Sequence, residues 1–166
     1  MHVYAGTDTL EIALKEASKQ KRTVYIHDGV YKSTSTGYVT VPVDMTGESE
    51  NGVHILHGLM LLESSPVQLS KMTVNTSSVK HNLHPNPSIQ NHNSAIFIQK
   101  TSFYMENITI QDSRGSGLHI NQSNGECHNV QVTNSVSHGV HVTNKSILRL
   151  SGNQTMIRHN GPAPSS

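Results

Sequence analysis

The sequence has no tryptophan, one cysteine, two phenylalanines and five tyrosines in 166 residues. A lone Cys127 excludes an internal disulfide, so stability has to come from packing and hydrogen bonding, and the thiol itself reads as a small buried apolar group. The missing tryptophan removes the strongest aromatic platform for sugars. No apolar run approaches the roughly 18–20 residues that span a bilayer, and Met1-His-Val-Tyr4 lacks the basic start and apolar stretch of a secretory signal. Neither sign of charge dominates, with 12 Lys and Arg against 11 Asp and Glu, and the basic residues form no stripe that would track a phosphate backbone. Nucleic acid is therefore not expected as a partner, nor is membrane insertion. The chain reads as soluble: cytoplasmic, virion-associated, or a domain cut from a longer protein. Five Asn-x-Ser/Thr triplets begin at Asn75, Asn107, Asn121, Asn144 and Asn153, as a chain rich in Asn, Ser and Thr produces without glycosylation.

What the sequence does have is a repeat. Slid along by 22 residues, Met105–Ile120 lands on Cys127–Val142 with residue type kept: Asn107 on Asn129, Ile108 on Val130, Ile110 on Val132, Asp112 on Asn134, Ser113 on Ser135, Gly117 on Gly139, Leu118 on Val140, His119 on His141 and Ile120 on Val142. Each unit carries two short apolar-polar-apolar strands divided by Asx, Ser and Gly turn chemistry. Strands of three residues cannot stand alone, but parallel stacking at about 4.8 Å buries a continuous Ile/Val/Leu column. The result is an all-β parallel β-helix. Ala95-Ile-Phe-Ile98 extends the pattern backwards, Gly52-Val-His-Ile55 repeats it earlier, Met72-Thr-Val74 supplies the companion strand, and Ile147-Leu-Arg-Leu150 continues the stack. About five to six coils follow.

At the N-terminus, residues 7–17 read as an amphipathic helix with Leu10, Ala13, Leu14 and Ala17 on one stripe behind a Thr/Asp cap. Thr23-Val-Tyr-Ile26 and His27-Asp-Gly-Val-Tyr31 read as strand, turn and strand. The order of helix, Lys21-Arg-Thr-Val-Tyr-Ile26 and Gly29-Val-Tyr31 resembles the opening of the pectin-lyase-like superfamily. That resemblance implies a right-handed β-helix whose N-terminal helix plugs the open end of the stack. The fold is shared by lyases, hydrolases, virion proteins and non-catalytic proteins, so it leaves activity open. The domain is read as residues 1–160, with residues 161–166 a flexible tail.

Three places could carry chemistry. Strand alternation assigns His54, Phe97, His119 and His141 to one outward column, able to stack on sugars or hydrogen-bond hydroxyls, or simply to stand solvated; a metal held by His119 and His141 lacks an evident third ligand. Polygalacturonase-like hydrolases of the resembled family use clustered aspartates with His and Arg, which makes Asp112, Arg114 and His138 of Ser137-His138-Gly139 the catalytic candidates. The repeat, however, sets Asn134 where a second carboxylate would be needed, and an amide cannot serve as a base. The plain alternative for Asp112 is an Asx turn. The third place is an insertion at residues 75–94, fourteen residues longer than the matching turns and carrying His81, His84 and His92.

Asn107 and Asn129 read as a structural ladder. No cofactor or metal is expected. The leading functional expectation is a non-catalytic module that binds a glycan or protein surface. The alternatives are a building block of a virion or tail type assembly, with homo-oligomers or stacking through the C-terminal end, and an atypical polysaccharide lyase or glycoside hydrolase.

Overall fold

The computed structural model describes residues 1–33, 38–62, 66–78 and 93–161. Parallel strands stack as a β-helix of about six turns with a single helix at its N-terminal end. Each complete coil has three strand rows. The first runs through His2–Val3, Val24–Ile26, Met45–Gly47, the leading halves of Val67–Asn75, Ser102–Gln111 and Asn124–Thr133, and Ile147–Ser151. The second runs through Gly6–Thr7, Gly29–Lys32, Val53–Ile55, the trailing halves of the same three long strands, and Met156–Arg158. The third is a separate sheet of Tyr38–Thr40, Gly58–Leu62, Ile96–Gln99, Leu118–Asn121 and Val140–Thr143.

The 22-residue register holds in full: Ile108 pairs with Val130, Ile110 with Val132, Leu118 with Val140 and Ile120 with Val142. Met72 and Val74 pair with Ile108 and Ile110, so the inserted residues leave the strand column unbroken. The long strands bend where Lys71, Asn107 and Asn129 take left-handed φ of 55°, 53° and 52°. Asparagine tolerates that conformation better than a branched residue. Its amide then links the coils, with Asn129 Nδ2 donating to Asn107 Oδ1 at 3.2 Å and Asn129 Oδ1 accepting from Gln154 N at 3.3 Å. At the corresponding corner of an earlier coil stands Gly47, where a Cβ would lie 1.7 Å from the Lys71 carbonyl oxygen. Nothing but glycine fits there.

Four expectations need correction. The helix spans Thr9–Gln20 rather than 7–17, and Asp8, at a left-handed φ of 58°, makes no side-chain cap; its stripe of Leu10, Ala13, Leu14 and Ala17 is buried as expected, each leucine contributing about 1.5–3 kcal/mol. A coil has a third strand that the repeat count missed, because Phe103–Met105 runs straight into Ile108–Ile110 within one ten-residue strand. Ile147–Leu150 does continue the stack, but on Asn124–Cys127, while Met156–Arg158 takes the place above Gln131–Thr133. Gly161 is bonded into the stack through its N–H to Ser135 O at 2.9 Å; residues 162–166 lie outside the described residues.

The interior columns run unbroken from coil to coil. Val24, Met45, Leu69, Met105 and Cys127 form one, and Leu59, Ile96 and Leu118 another, all fully buried. Burial in this apolar column pushes the Cys127 thiol up to about 12.

Candidate functional site

The third sheet places Phe97, His119 and His141 in one column, each the Cα partner of the next. His54 is not a member. Its strand pairs with Gly29–Tyr31 on one side and with Thr73–Val74 on the other, in the larger sheet. Met60 stands below Phe97 instead. Gly-Val-His-Ile and Gly-Leu-His-Ile look alike, but the first belongs to a different row. The column is also not open along its length. Met60 and Phe97 form a small buried cluster apart from the coil interior, and His119 is nearly buried, so these rings offer no free face to a sugar. His141 is half-buried and His138 is exposed.

Ring contacts follow that gradient. Phe97 meets His119 edge-on at 5.2 Å, His119 stacks on His141 at 4.5 Å, and His141 stacks on His138 at 4.7 Å. Thr143 gives its hydroxyl proton to Ile120 O at 3.2 Å, so its oxygen accepts from His119 Nε2–H at 3.3 Å. Ser137 Oγ lies 2.8 Å from His138 Nδ1.

Around the outer end of this stack is an open groove of about 420 Å³ lined by Asn93, Ser94, Arg114, Gly115, Ser116, His119, Ser137, His138 and His141. The coil register builds it. Ser116 sits one repeat before His138, and backbone bonds tie the turns together: Ala95 N to Ser116 O at 3.0 Å and Gly117 N to His138 O at 2.8 Å. Gly117 is required at this turn, since a Cβ there would meet Val132 Cγ1 at 2.3 Å and Gly139 O at 2.8 Å. Arg114 is steadied by donating from Nε to Ser77 O at 3.0 Å. Asn93 and Ser94 are the end of the 75–94 insertion and Ser137 belongs to the Ser137-His138-Gly139 element, whereas Ser116 was not singled out from the sequence, although it shares a repeat position with His138.

Asp112 does not face this groove as a free acid. Its Oδ2 accepts from Asn75 Nδ2 at 2.9 Å and its Oδ1 from Asn134 Nδ2 at 3.2 Å, at a left-handed φ of 53°. It is a rung of a side-chain ladder, held by amides of the neighbouring coils. Of the catalytic candidates, Arg114 and His138 come together in the groove and Asp112 stays out of it. His81, His84 and His92 lie outside the described residues. Among the described residues, no three His, Cys, Asp or Glu side chains gather as a metal-binding group.

A different carboxylate pair stands on the outward face of the first row. Tyr104 pairs with Glu126 and Glu106 with His128, which makes Glu106 and Glu126 diagonal neighbours on adjacent coils. Arg149 Nη1 donates to Glu126 Oε1 at 3.0 Å. Burial, and then the charges of Glu106 and Glu126, raise the Tyr104 hydroxyl above its ordinary range. The repeat read from the sequence began at Met105 and Cys127 and so stopped one residue short of Glu126, on the strand that the repeat count left out.

No protein-family model matches the chain, and neither does any curated protein. Among solved structures it is similar to Geobacillus virus E2 ORF18, with a TM-score of 0.64 and 15% sequence identity over 99% of this chain. The chain spans 43% of the length of that structure. The likeness is one of fold: the class that strands and register define is the parallel β-helix.

Proposed function

We propose that the chain is a non-catalytic β-helix module that holds a glycan in the groove of Arg114, Ser116, Ser137, His138 and His141. The observation that carries this reading is the composition of the groove: among its described lining residues are imidazoles, hydroxyls, one amide and one guanidinium, and no carboxylate. Such a surface can donate to and accept from sugar hydroxyls, and its volume falls within the roughly 300–1,000 Å³ of small-molecule sites. None of those described lining residues can serve as the carboxylic acid or carboxylate base of glycoside hydrolysis. The order of helix, strand and Gly29-Val-Tyr31 supports kinship with the pectin-lyase-like superfamily as part of the same proposal. A glycan array probed with wild type and with His138→Ala/His141→Ala is the test. Binding lost in the double variant, with the glycan recovered uncleaved, supports the reading; equal binding removes the groove from it.

A second reading, assembly through the C-terminal end, is favoured by the last coil. Val142, Leu150 and Ile157 are 41%, 45% and 42% exposed, whereas Ile120, Cys127 and Val132, their partners one coil earlier, are buried. Open apolar columns, flanked by strand edges that pair with no further strand among the described residues, accept a further coil. Sedimentation at decreasing concentration tests it: a monomer at all concentrations rules out self-stacking.

A further inference from the structure

At the opposite end of the molecule, outside the groove, four rings pack on the outward face of the first two coils. His2 stacks on Tyr25 at 5.4 Å and on His27 at 5.3 Å, and Tyr4 lies almost parallel to His27, at 4.3 Å and 4°. The strand register sets this up, because His2 and Tyr25 are Cα partners and Val3 pairs with Ile26. With His27 against one face and 67% of its surface exposed, Tyr4 presents its other ring face outward. Tyr25 is 49% exposed beside it. In a chain this poor in aromatics, two open tyrosines at one spot are a concentrated apolar-polar surface.

Hydrogen bonds polarise the same rings. Glu48 Oε2 accepts from Asp28 N at 3.0 Å and lies 3.2 Å from His27 Nδ1. The Asp28 amide first, and His27 second, hold the Glu48 carboxyl below its usual range, so it accepts. A carboxylate can only accept, so His27 Nδ1 carries a proton. In neutral His27, Nε2 is then a lone pair, and His2 Nδ1, 3.1 Å away, must donate to it. The chain of tautomers ends at His2 Nε2, a lone pair on an exposed residue that stacks on Tyr25 and shares its neighbour His27 with Tyr4.

We infer that this cluster is a second binding site, for a neutral sugar ring: the apolar C–H face of the ring lies on Tyr4 while one of its hydroxyls donates to His2 Nε2. The carboxylates of Glu48 and Asp28 flank the site and disfavour an acidic sugar. Asp28 is itself held by Ser49, whose N–H and hydroxyl donate to Oδ1 at 3.1 and 2.8 Å. The site shares no residue with the groove, and its occupancy does not depend on the groove reading.

The test uses the full chain and neutral oligosaccharides of glucose, mannose, galactose and N-acetylglucosamine as probes, followed by NMR and calorimetry. Long-range proton–nitrogen correlation spectra of the free protein, recorded with the imidazoles neutral, are expected to show both His2 and His27 protonated at Nδ1. At least one probe is expected to shift the Tyr4 and His2 resonances. Tyr4→Ala is expected to weaken that probe at least tenfold. His27→Phe keeps a ring under Tyr4 and removes the tautomer chain, and is also expected to weaken it, whereas His138→Ala/His141→Ala is expected to bind as wild type. Absence of any shift at Tyr4 and His2, or wild-type affinity in both Tyr4→Ala and His27→Phe, overturns the inference and leaves the groove reading untouched.

Discussion

Asn134 donates its side-chain amide to Asp112 Oδ1 at 3.2 Å across one coil, while Asn75 donates to Oδ2 at 2.9 Å from the coil below. The residue that the sequence offered as a catalytic candidate is thus the middle rung of an amide–carboxylate–amide ladder. Replacing it by an amide sets two NH2 groups against each other. Asp112→Asn is expected to cost about 1–2 kcal/mol in urea unfolding and to leave glycan binding unchanged. Loss of binding at full stability would return Asp112 to the site.

The Asn107–Asn129 ladder separates two effects that one substitution confounds. Asn129→Gly keeps the left-handed backbone and removes the amide, whereas Asn129→Ala removes the amide and also strains the backbone. Alanine should therefore be the worse replacement by about 1 kcal/mol in thermal or urea denaturation. Equal effects would mean that the bend at this corner is not fixed by φ.

His57 is buried, and its Nδ1–H donates to Gly58 O at 3.2 Å while Nε2 has no hydrogen-bond partner among the described residues. Burial is the main cause that lowers its proton affinity below the ordinary imidazole value, and the Gly58 carbonyl with the charges of Glu11 and Asp8 opposes this only in part. The unfolded chain then binds a proton that the folded chain refuses. Stability should fall as pH drops through the unfolded imidazole range, near about 6.5, and stop falling on this account below the lowered folded value. His57→Leu should flatten that part of a pH series of urea midpoints. An unchanged slope would assign the effect to other groups.

Cys127 lies in the interior column with its thiol raised to about 12 by burial. Reaction with a thiol reagent at pH 8 should be absent in the folded protein and complete in denaturant. Rapid labelling without denaturant would mean that the coil opens locally at Met105–Cys127.

The coil was legible because its repeat is carried by apolar residues that point inward in every turn. Ile108, Val130, Leu118 and Val140 could be placed from type and spacing alone, and their register fell where the 22-residue step put it. Exposure of the outward column was not legible. Alternation says only which way Phe97 and His119 point, and burial depends on what lies over that face, which no period records. His54 failed for a related reason: its tripeptide matches the third row, but the irregular spacing of the early coils moves it to the second. Most of the groove's side chains were legible one by one, as Arg114, His119, His138, His141 and the end of the 75–94 insertion, but not that they share one groove, and Ser116 carries no signal apart from the turn position it occupies.

The central claim is that Arg114, His138 and His141 bind a glycan without cleaving it. Isothermal titration of the strongest array ligand into wild type, Arg114→Ala and His138→Ala/His141→Ala, with the recovered ligand sized by mass spectrometry, tests it most directly. The prediction is binding by wild type, a loss of at least tenfold in both variants, and intact ligand throughout. Wild-type affinity in both variants, or shortened ligand whose production stops in Glu126→Gln, would contradict the claim; the latter would move function to the Glu106–Glu126 face.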